Sequence, residues 1–171
     1  MPIPVQSAPV ITVNKKALLQ AIVEKLSADL ALYFKAATVA RYEATHEQSK
    51  AENKYDTRGL EASYLARGQS RQAAEIEFSI HTIGAMEPRD FSNGLPVDVG
   101  AYVEVSHRKE TSRYFICSRA GGTEVVFDGA EVMVITPQSP LGSQLVGRKE
   151  GDSVKIEIGG RATTQTLVRV L

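Results

Sequence analysis

The first half of the chain places apolar residues at alternating intervals of four and three, in two separate rows. Such a heptad pattern is typical of a helix that packs along a second helix. The first row contains Leu19, Val23, Leu26, Leu30, Tyr33, Ala37, Ala40 and Ala44, and the second contains Ala62, Ala66, Gln69, Ala73, Ile76, Ile80 and Ile83. Between the rows the sequence DTRG at 56–59 favours a turn, so the two helices fold back on each other. The pattern therefore predicts an antiparallel coiled-coil hairpin over residues 14–86, with its tip near residues 54–61.

Capping and turn residues set the limits of this hairpin. Asn14 precedes the first apolar row and is a favourable N-cap, whereas Gly84 and Pro88 predict the end of the second helix. Toward the turn both rows change to alanine, which lets the two helices approach closely and makes the tip narrow. At about 1.5 Å per residue the shorter helix forms a rod roughly 35–40 Å long. A rod of this length suits a dimerisation arm, a spacer, or an element that enters another molecule.

The second half of the chain shows the period-two alternation of β-strands. Its strand candidates are AYVEVSHR, SRYFICSR, EVVF, VMVIT, SVKIEI and TTQTLVRVL, separated mostly by turns rich in Gly, Asp and Ser. Ser139 followed by Pro140 predicts the N-cap and first residue of a short helix that ends at Gly147. Residues 87–99 form a linker with Pro, Gly and Asn, and residues 100–171 form an antiparallel sheet with one short helix. The predicted fold class is therefore α+β.

Composition narrows the range of partners and compartments. The chain has 171 residues and a formal net charge of zero, so it has no general attraction for nucleic acid or anionic membranes. Cys117 is the single cysteine, which excludes an internal disulfide and fits a reducing compartment. Residues 1–13 form an extended N-terminal segment with three prolines and no basic residue, which is unlike a signal peptide. No apolar run is long enough for a membrane helix, so we expect a cytoplasmic protein without a membrane partner.

One motif carries a resemblance to a known family. The sequence ITPQSPLGSQLVGRKEGDSV at 135–154 resembles the C-terminal, FKBP-like domain of the bacterial transcript-cleavage factors GreA and GreB. The sequence VGAYVEV, which begins at Val99, is similar to the first strand of that domain. An N-terminal antiparallel coiled coil joined to this domain is the architecture of the family. The resemblance covers roughly residues 14–171, in specific motifs over about 25 residues and in architecture over the rest.

The resemblance implies a transcription elongation factor that binds bacterial RNA polymerase. The coiled coil would enter the secondary channel of the polymerase, and the C-terminal domain would bind at the channel rim. Ser139, Pro140, Leu141 and Gly142 match the Ser-Pro loop with which the family binds that rim. Capping of the short helix is the alternative role for the first three, and the two roles are compatible. Because the hairpin pairs within one chain, we expect a monomer.

At the tip the sequence departs from the family. The family carries an Asp and, three positions later, a Glu, which help the polymerase to hold a second Mg²⁺ and an activated water at the 3′ end of the nascent RNA. The factor itself is then no enzyme and has no cofactor of its own. Asp56 matches the Asp, but Gly59 stands at the Glu position and Glu61 lies two residues further on. In a shifted register Glu52 matches the Glu, and Ser49 then replaces the Asp.

Two basic residues near the tip have two possible roles. Arg58 and Arg67 could steer toward RNA phosphates, or they could lie on a solvated helix face beside glutamates.

Four functions remain open at this point. The first is stimulation of the polymerase's own cleavage of backtracked RNA, with Asp56 and Glu61 as the acidic residues. The second is a regulator or inhibitor that occupies the channel without cleavage. The third, of another class, is an FKBP-like peptide-binding protein or prolyl isomerase, which the small number of aromatic residues disfavours. The last is a structural coiled-coil dimer.

Overall fold

A long helical pair and a six-stranded sheet with one short helix make up the described chain. The computed structural model describes residues 12–45, 58–91, 93–108, 110–158 and 160–171. The helices are α1 (Lys15–Thr45), α2 (Arg58–Gly84) and α3 (Gly142–Leu145). The strands are β1 (Tyr102–His107), β2 (Glu110–Ile116), β3 (Glu124–Phe127), β4 (Ala130–Ile135), β5 (Ser153–Ile158) and β6 (Arg161–Val170). The predicted α+β class is therefore confirmed.

Helices α1 and α2 form the antiparallel arm that the heptad rows predict. The N-terminal part of α1 and the C-terminal part of α2 share one apolar core, which contains Leu19, Leu26, Ile76 and Ile83. The backbone N–H of Ala17 donates to Asn14 Oδ1 at 3.0 Å, as expected for an N-cap at Asn14. The predicted tip turn at 54–57 and the predicted continuation of the first helix to about residue 54 lie outside the described residues.

The base of α1 has a second buried face that the heptad rows do not include. Leu18 and Ile22 are fully buried, and they belong to the same core as Tyr102, Phe115 and Val132 on the sheet. Helix α1 therefore packs on α2 with one face and on the sheet with another. This second contact holds the arm against the sheet.

The sheet has the strand order β3-β4-β2-β1-β6-β5. All neighbouring strands are antiparallel except β2 and β4, which are parallel with Tyr114 opposite Met133. The sheet is therefore mostly antiparallel, and this one pair departs from the predicted antiparallel sheet. Strand β3 lies at the outer edge, and the chain returns through a tight turn at Asp128–Gly129, both with positive φ, to place β4 between β3 and β2. Alternation along a strand specifies its two faces but not its neighbours.

The two faces of the sheet support two different cores. One face packs against the arm, through Phe115 and Val132 among others. The opposite face packs against Phe91 and Val97, which precede β1, and against Leu145 of α3. The sheet thus lies between the arm and a layer formed by α3 and the segment before β1.

A buried lysine fastens the base of the arm. Lys15 Nζ donates to the carbonyl oxygen of Arg89 and, at 3.0 Å, to that of Gly100, and it lies 4.6 Å from the ring centroid of Phe91. Burial lowers the pKa of Lys15 to about 8, although the carboxylate of Asp90 opposes this shift.

This lowered pKa predicts a pH-dependent contribution to stability. Between pH 8 and the ordinary lysine pKa near 10.5, the unfolded chain binds more protons at Lys15 than the folded chain does. The free energy of unfolding of the wild type should therefore rise, relative to that of Lys15→Met, as the pH increases through this window. Denaturant titrations of both proteins across the window measure the difference. Lys16→Met, at the exposed neighbouring position, controls for the loss of a charge, and a pH-independent difference for Lys15→Met would contradict the prediction.

Candidate docking site beside the Ser-Pro loop

The loop between β4 and α3 is held by the side chain of Ser139. Ser139 Oγ donates to the carbonyl oxygen of Thr136 at 2.8 Å and accepts from the N–H of Gly142 at 3.0 Å. The N–H of Ser143 donates to the carbonyl oxygen of Ser139 at 2.9 Å and closes a helical turn that begins at Pro140. Ser139 therefore acts as a side-chain cap for this turn. Helix α3 itself begins two residues later, at Gly142, with Leu141 at its N-cap position, so the predicted helix start at Pro140 is wrong and Ser139 caps the preceding turn instead.

Gly142, the first residue of α3, lies against the backbone of Thr136. A Cβ atom at this position would lie 1.9 Å from the carbonyl oxygen of Thr136 and 2.8 Å from its carbonyl carbon. Backbone atoms cannot move away as a flexible side chain can, so only glycine fits here. The backbone conformation of the loop therefore requires glycine at position 142.

An apolar groove lies beside this loop. Its cavity volume is about 590 Å³, and Met133 and Ile135 of β4 line it together with Pro140 and Leu141 of the loop. Glu157 and the turn at 121–122 also border it. Pro140 is exposed and Leu141 is half-buried, so both are accessible to a partner. The groove can accept apolar side chains of another molecule.

Contacts from three directions hold α3, which follows the loop directly in the chain. Leu145 is fully buried in the core on that face of the sheet. The N–H of Gly147 donates to the carbonyl oxygen of Val97 at 2.8 Å, and the N–H of Val97 donates to that of Arg148 at 2.7 Å. Gln144 Oε1 accepts from the N–H of Glu157 at 3.2 Å. The groove is therefore formed before any partner arrives.

The sequence indicated the loop but not the rest of the groove. Met133 and Ile135 alternate along β4 and therefore share a face, which the sequence does show. Nothing in the pattern indicates that Gly121 and Gly122, in the turn before β3, reach the same groove. Their placement depends on the pairing of β4 with both β2 and β3.

Comparison with known proteins gives similar solved structures but no sequence match. No family model and no curated protein sequence matches the chain. A crystal structure of GreA factor homolog 1 (Gfh1) of Thermus thermophilus is similar, with 22% identity and a TM-score of 0.38, over 88% of this chain and 95% of that chain. Gfh1 of Thermus aquaticus is similar at 21% identity and a TM-score of 0.38, over 88% of this chain and 94% of that one.

A second cavity lies between the arm and the connection from β2 to β3. It has a volume of about 1000 Å³, and Gly121 and Gly122 border it as they border the groove. Its polar lining includes an ion pair of 2.5 Å between Lys25 Nζ and Asp29 Oδ1. The turn at 121–122 therefore separates two openings, one facing the arm and one facing the Ser-Pro loop.

The helical seam beside this cavity contains a polar residue. Gln69 lies in the second heptad row, and its Oε1 is buried without a hydrogen-bond partner in the described structure. A buried acceptor that has lost its water costs about 1–3 kcal/mol.

Gln69→Leu should therefore stabilise the protein by about 1 kcal/mol, because it removes this cost and adds apolar contact in the seam. Gln72→Leu, at a neighbouring exposed position of α2, should change the free energy of unfolding by less than about 0.5 kcal/mol. Urea titrations of the three proteins test this. Equal effects of both substitutions would contradict it.

The described residues of the predicted tip lie on α2. Asp56 lies outside the described residues, and Arg58 begins α2. Glu61 and Arg67 are exposed on α2, and Glu61 is in its first turn, where the helix dipole favours a carboxylate. Because α2 has 27 residues, its two ends are about 40 Å apart. The first turn of α2, with Glu61, therefore lies at the opposite end of this helix from the base that packs against the sheet.

The described residues contain no group of three or more His, Cys, Asp and Glu side chains that could hold a metal ion. Cys117 is buried, with its Sγ 3.5 Å from Met86 Sδ, and burial raises the pKa of its thiol. Among the described helices, none is long and apolar enough to cross a membrane.

Proposed function

We propose that this chain is a Gre-like transcription factor that binds bacterial RNA polymerase. In this proposal the groove beside Ser139, Pro140, Leu141 and Gly142 binds the rim of the secondary channel, and the arm enters the channel. The observation that carries the proposal is the preformed apolar groove at one end of an arm about 40 Å long. The motif at 135–154, which resembles the Gre factors, forms one wall of that groove.

The groove has properties that favour binding. Each apolar partner side chain that it buries would contribute about 1.5–3 kcal/mol. Because Ser139, α3 and the segment before β1 hold the loop in place, little conformational entropy is lost on binding. Both helices of the arm come from one chain, which supports action as a monomer.

At the other end of the arm, the acidic residues would assist a reaction that the polymerase itself catalyses. Asp56 and Glu61 would help the polymerase to hold Mg²⁺, and the polymerase would cleave its backtracked RNA. Arg58 and Arg67 would lie near the RNA phosphates. The protein would then need no cofactor and would catalyse nothing alone.

A specific observation favours a second candidate, a regulator that occupies the channel without cleavage. Gly59 stands where the resemblance expects the second acid, and Glu61 lies in the first turn of α2, where its carboxylate already interacts favourably with the helix N-terminus. A single well-placed carboxylate holds a shared Mg²⁺ less firmly than two. The prolyl isomerase alternative has less support, because the residues that line the described groove include no aromatic side chain.

RNA cleavage in stalled, backtracked complexes of the cognate polymerase distinguishes the two transcription candidates. A cleavage factor shortens the RNA, and Asp56→Ala and Glu61→Ala each abolish this effect. Glu131→Ala, an exposed acid of the sheet, is the matched control and should leave cleavage unchanged. Competition with an authentic cleavage factor without RNA shortening would identify the channel-occupying regulator. Absence of both cleavage and competition would overturn the proposed function.

The same competition assay tests the groove. Leu141→Asp should weaken binding to the polymerase by about tenfold or more, because it puts a charge where an apolar contact is needed. Leu95→Asp introduces the same charge at an exposed leucine that does not line the groove, and should bind as the wild type does. Equal binding by both variants would exclude the groove as the docking site.

A further inference from the structure

One arginine connects the sheet to helix α2 of the arm. Arg119, in the connection between β2 and β3, places its guanidinium 4.0 Å from the ring centroid of Phe78 on α2. Its Nη1 also lies 3.5 Å from Oε2 of Glu75, which precedes Phe78 by about one turn of the same helix. Among the described ion pairs, this one joins the sheet to the arm, whereas the others lie within the arm or within the sheet and its preceding segment.

The connection that carries Arg119 is held firmly to β4. The N–H of Cys117 donates to the carbonyl oxygen of Ile135 at 2.9 Å, and the N–H of Gly122 donates to that of Val134 at 2.8 Å. The N–H of Val134 returns a bond of 2.8 Å to the carbonyl oxygen of Thr123. Because Gly121 and Gly122 of this connection border the docking groove, Arg119 extends from the same element that forms a groove edge.

Arg119 borders the cavity that lies between the arm and the connection from β2 to β3. The volume of this cavity is about 1000 Å³. At the base the arm rests on an apolar core, which includes Leu18 and Ile22, and Lys15 fastens it by hydrogen bonds to the carbonyl oxygens of Arg89 and Gly100. The contacts of Arg119 with Glu75 and Phe78 have defined geometry, and Arg119 and Glu75 both line the cavity.

We propose that Arg119 is a positioning residue that fixes the angle between the arm and the docking groove, through its contacts with Phe78 and Glu75. This inference rests on the proposed function, because the angle matters only if groove and tip bind the same partner. A swing of about 10° at the base would move the far end of an arm about 40 Å long by about 7 Å. A displacement of about 1 Å can already lower the rate of a catalysed reaction by about 100-fold.

Distance measurements on the protein alone test the geometric part of the proposal. Spin labels at Ser70→Cys on α2 and Thr164→Cys on β6 occupy exposed positions, and the native Cys117 is fully buried. The wild-type background should give one narrow distance distribution. Arg119→Ala and Phe78→Ala should each broaden it, and the double variant should be no broader than Arg119→Ala alone, because that substitution already removes the contacts with both Phe78 and Glu75. Arg119→Lys, which keeps the charge, should restore part of the narrowing.

Assays with the polymerase test the functional part. The concentration of Arg119→Ala that half-saturates the polymerase should stay within about threefold of the wild-type value, because the groove is intact. RNA cleavage at saturation should fall by about tenfold or more. If the wild type inhibits without cleaving, the inhibition at saturation is the quantity that should fall. Lys16→Ala, which removes an exposed charge from the arm without a described contact, should match the wild type in both assays.

The outcomes separate this inference from the proposed function. An unchanged distance distribution in Arg119→Ala overturns the inference, whatever the polymerase assays show. A broadened distribution with unchanged activity at saturation also overturns it, since the angle would then have no consequence. Failure of the wild type to bind the polymerase overturns the proposed function instead, and is visible without any Arg119 variant.

Discussion

Replacing Gly142 by alanine should lower the free energy of unfolding by about 3 kcal/mol and abolish binding through the groove. The added Cβ would lie 1.9 Å from the carbonyl oxygen of Thr136, so the loop or α3 must move. That movement breaks the hydrogen bonds through which Ser139 caps the turn, and it displaces Pro140 and Leu141 from the groove wall. Urea unfolding and competition for the polymerase measure the two effects.

Gly68→Ala is the matched control for this substitution. Gly68 lies in the middle of α2, and a Cβ there would meet no atom within 4 Å. Because alanine favours a helix more than glycine does, Gly68→Ala should stabilise the protein by up to about 1 kcal/mol. Similar stability for the two variants would show that the Ser-Pro loop tolerates a side chain at 142, and the steric argument would fail.

Replacing Leu18 by alanine should destabilise the protein by about 3 kcal/mol, within the range for fully buried leucines. Leu18 has no exposed surface and belongs to the core that joins α1 to the sheet. The truncation leaves a cavity between the arm and β-strands that cannot close without moving the helix. Denaturant titration gives the change in stability, and the spin-label pair described above reports whether the arm also loosens.

Leu32→Ala provides a control in the same helix and on the same heptad position, two heptads further along α1. Leu32 is 65% exposed, so its truncation should change stability by less than about 0.5 kcal/mol. The two positions share residue type, helix and heptad position, and they differ in whether the sheet buries the side chain. Equal losses for Leu18 and Leu32 would mean that the arm does not rest on the sheet as described.

Local and periodic features of this protein were accessible from the sequence. The heptad rows predicted α1 and α2 because a helix repeats its faces every three to four residues. The residues that face the partner helix therefore recur at regular intervals in the sequence. Asn14, as a helix cap, and Ser139, at the start of a helical turn, have side chains that bond within three residues of themselves. The β-strands followed from the alternation of apolar residues for the same reason.

Contacts between distant parts of the chain were decided only by the tertiary structure. Leu18 and Ile22 carry no special signal in a helix rich in apolar residues, and only the sheet beneath them distinguishes them from Leu32. The parallel pairing of β2 with β4 brings the turn at 121–122 to the groove, and no local pattern specifies that neighbour. The contact of Arg119 with Phe78 joins residues 41 positions apart, since 119 − 78 = 41. Local sequence determined the elements, because their hydrogen bonds and periodic faces are short-range, whereas the packing of the whole chain determined the groove and the angle of the arm.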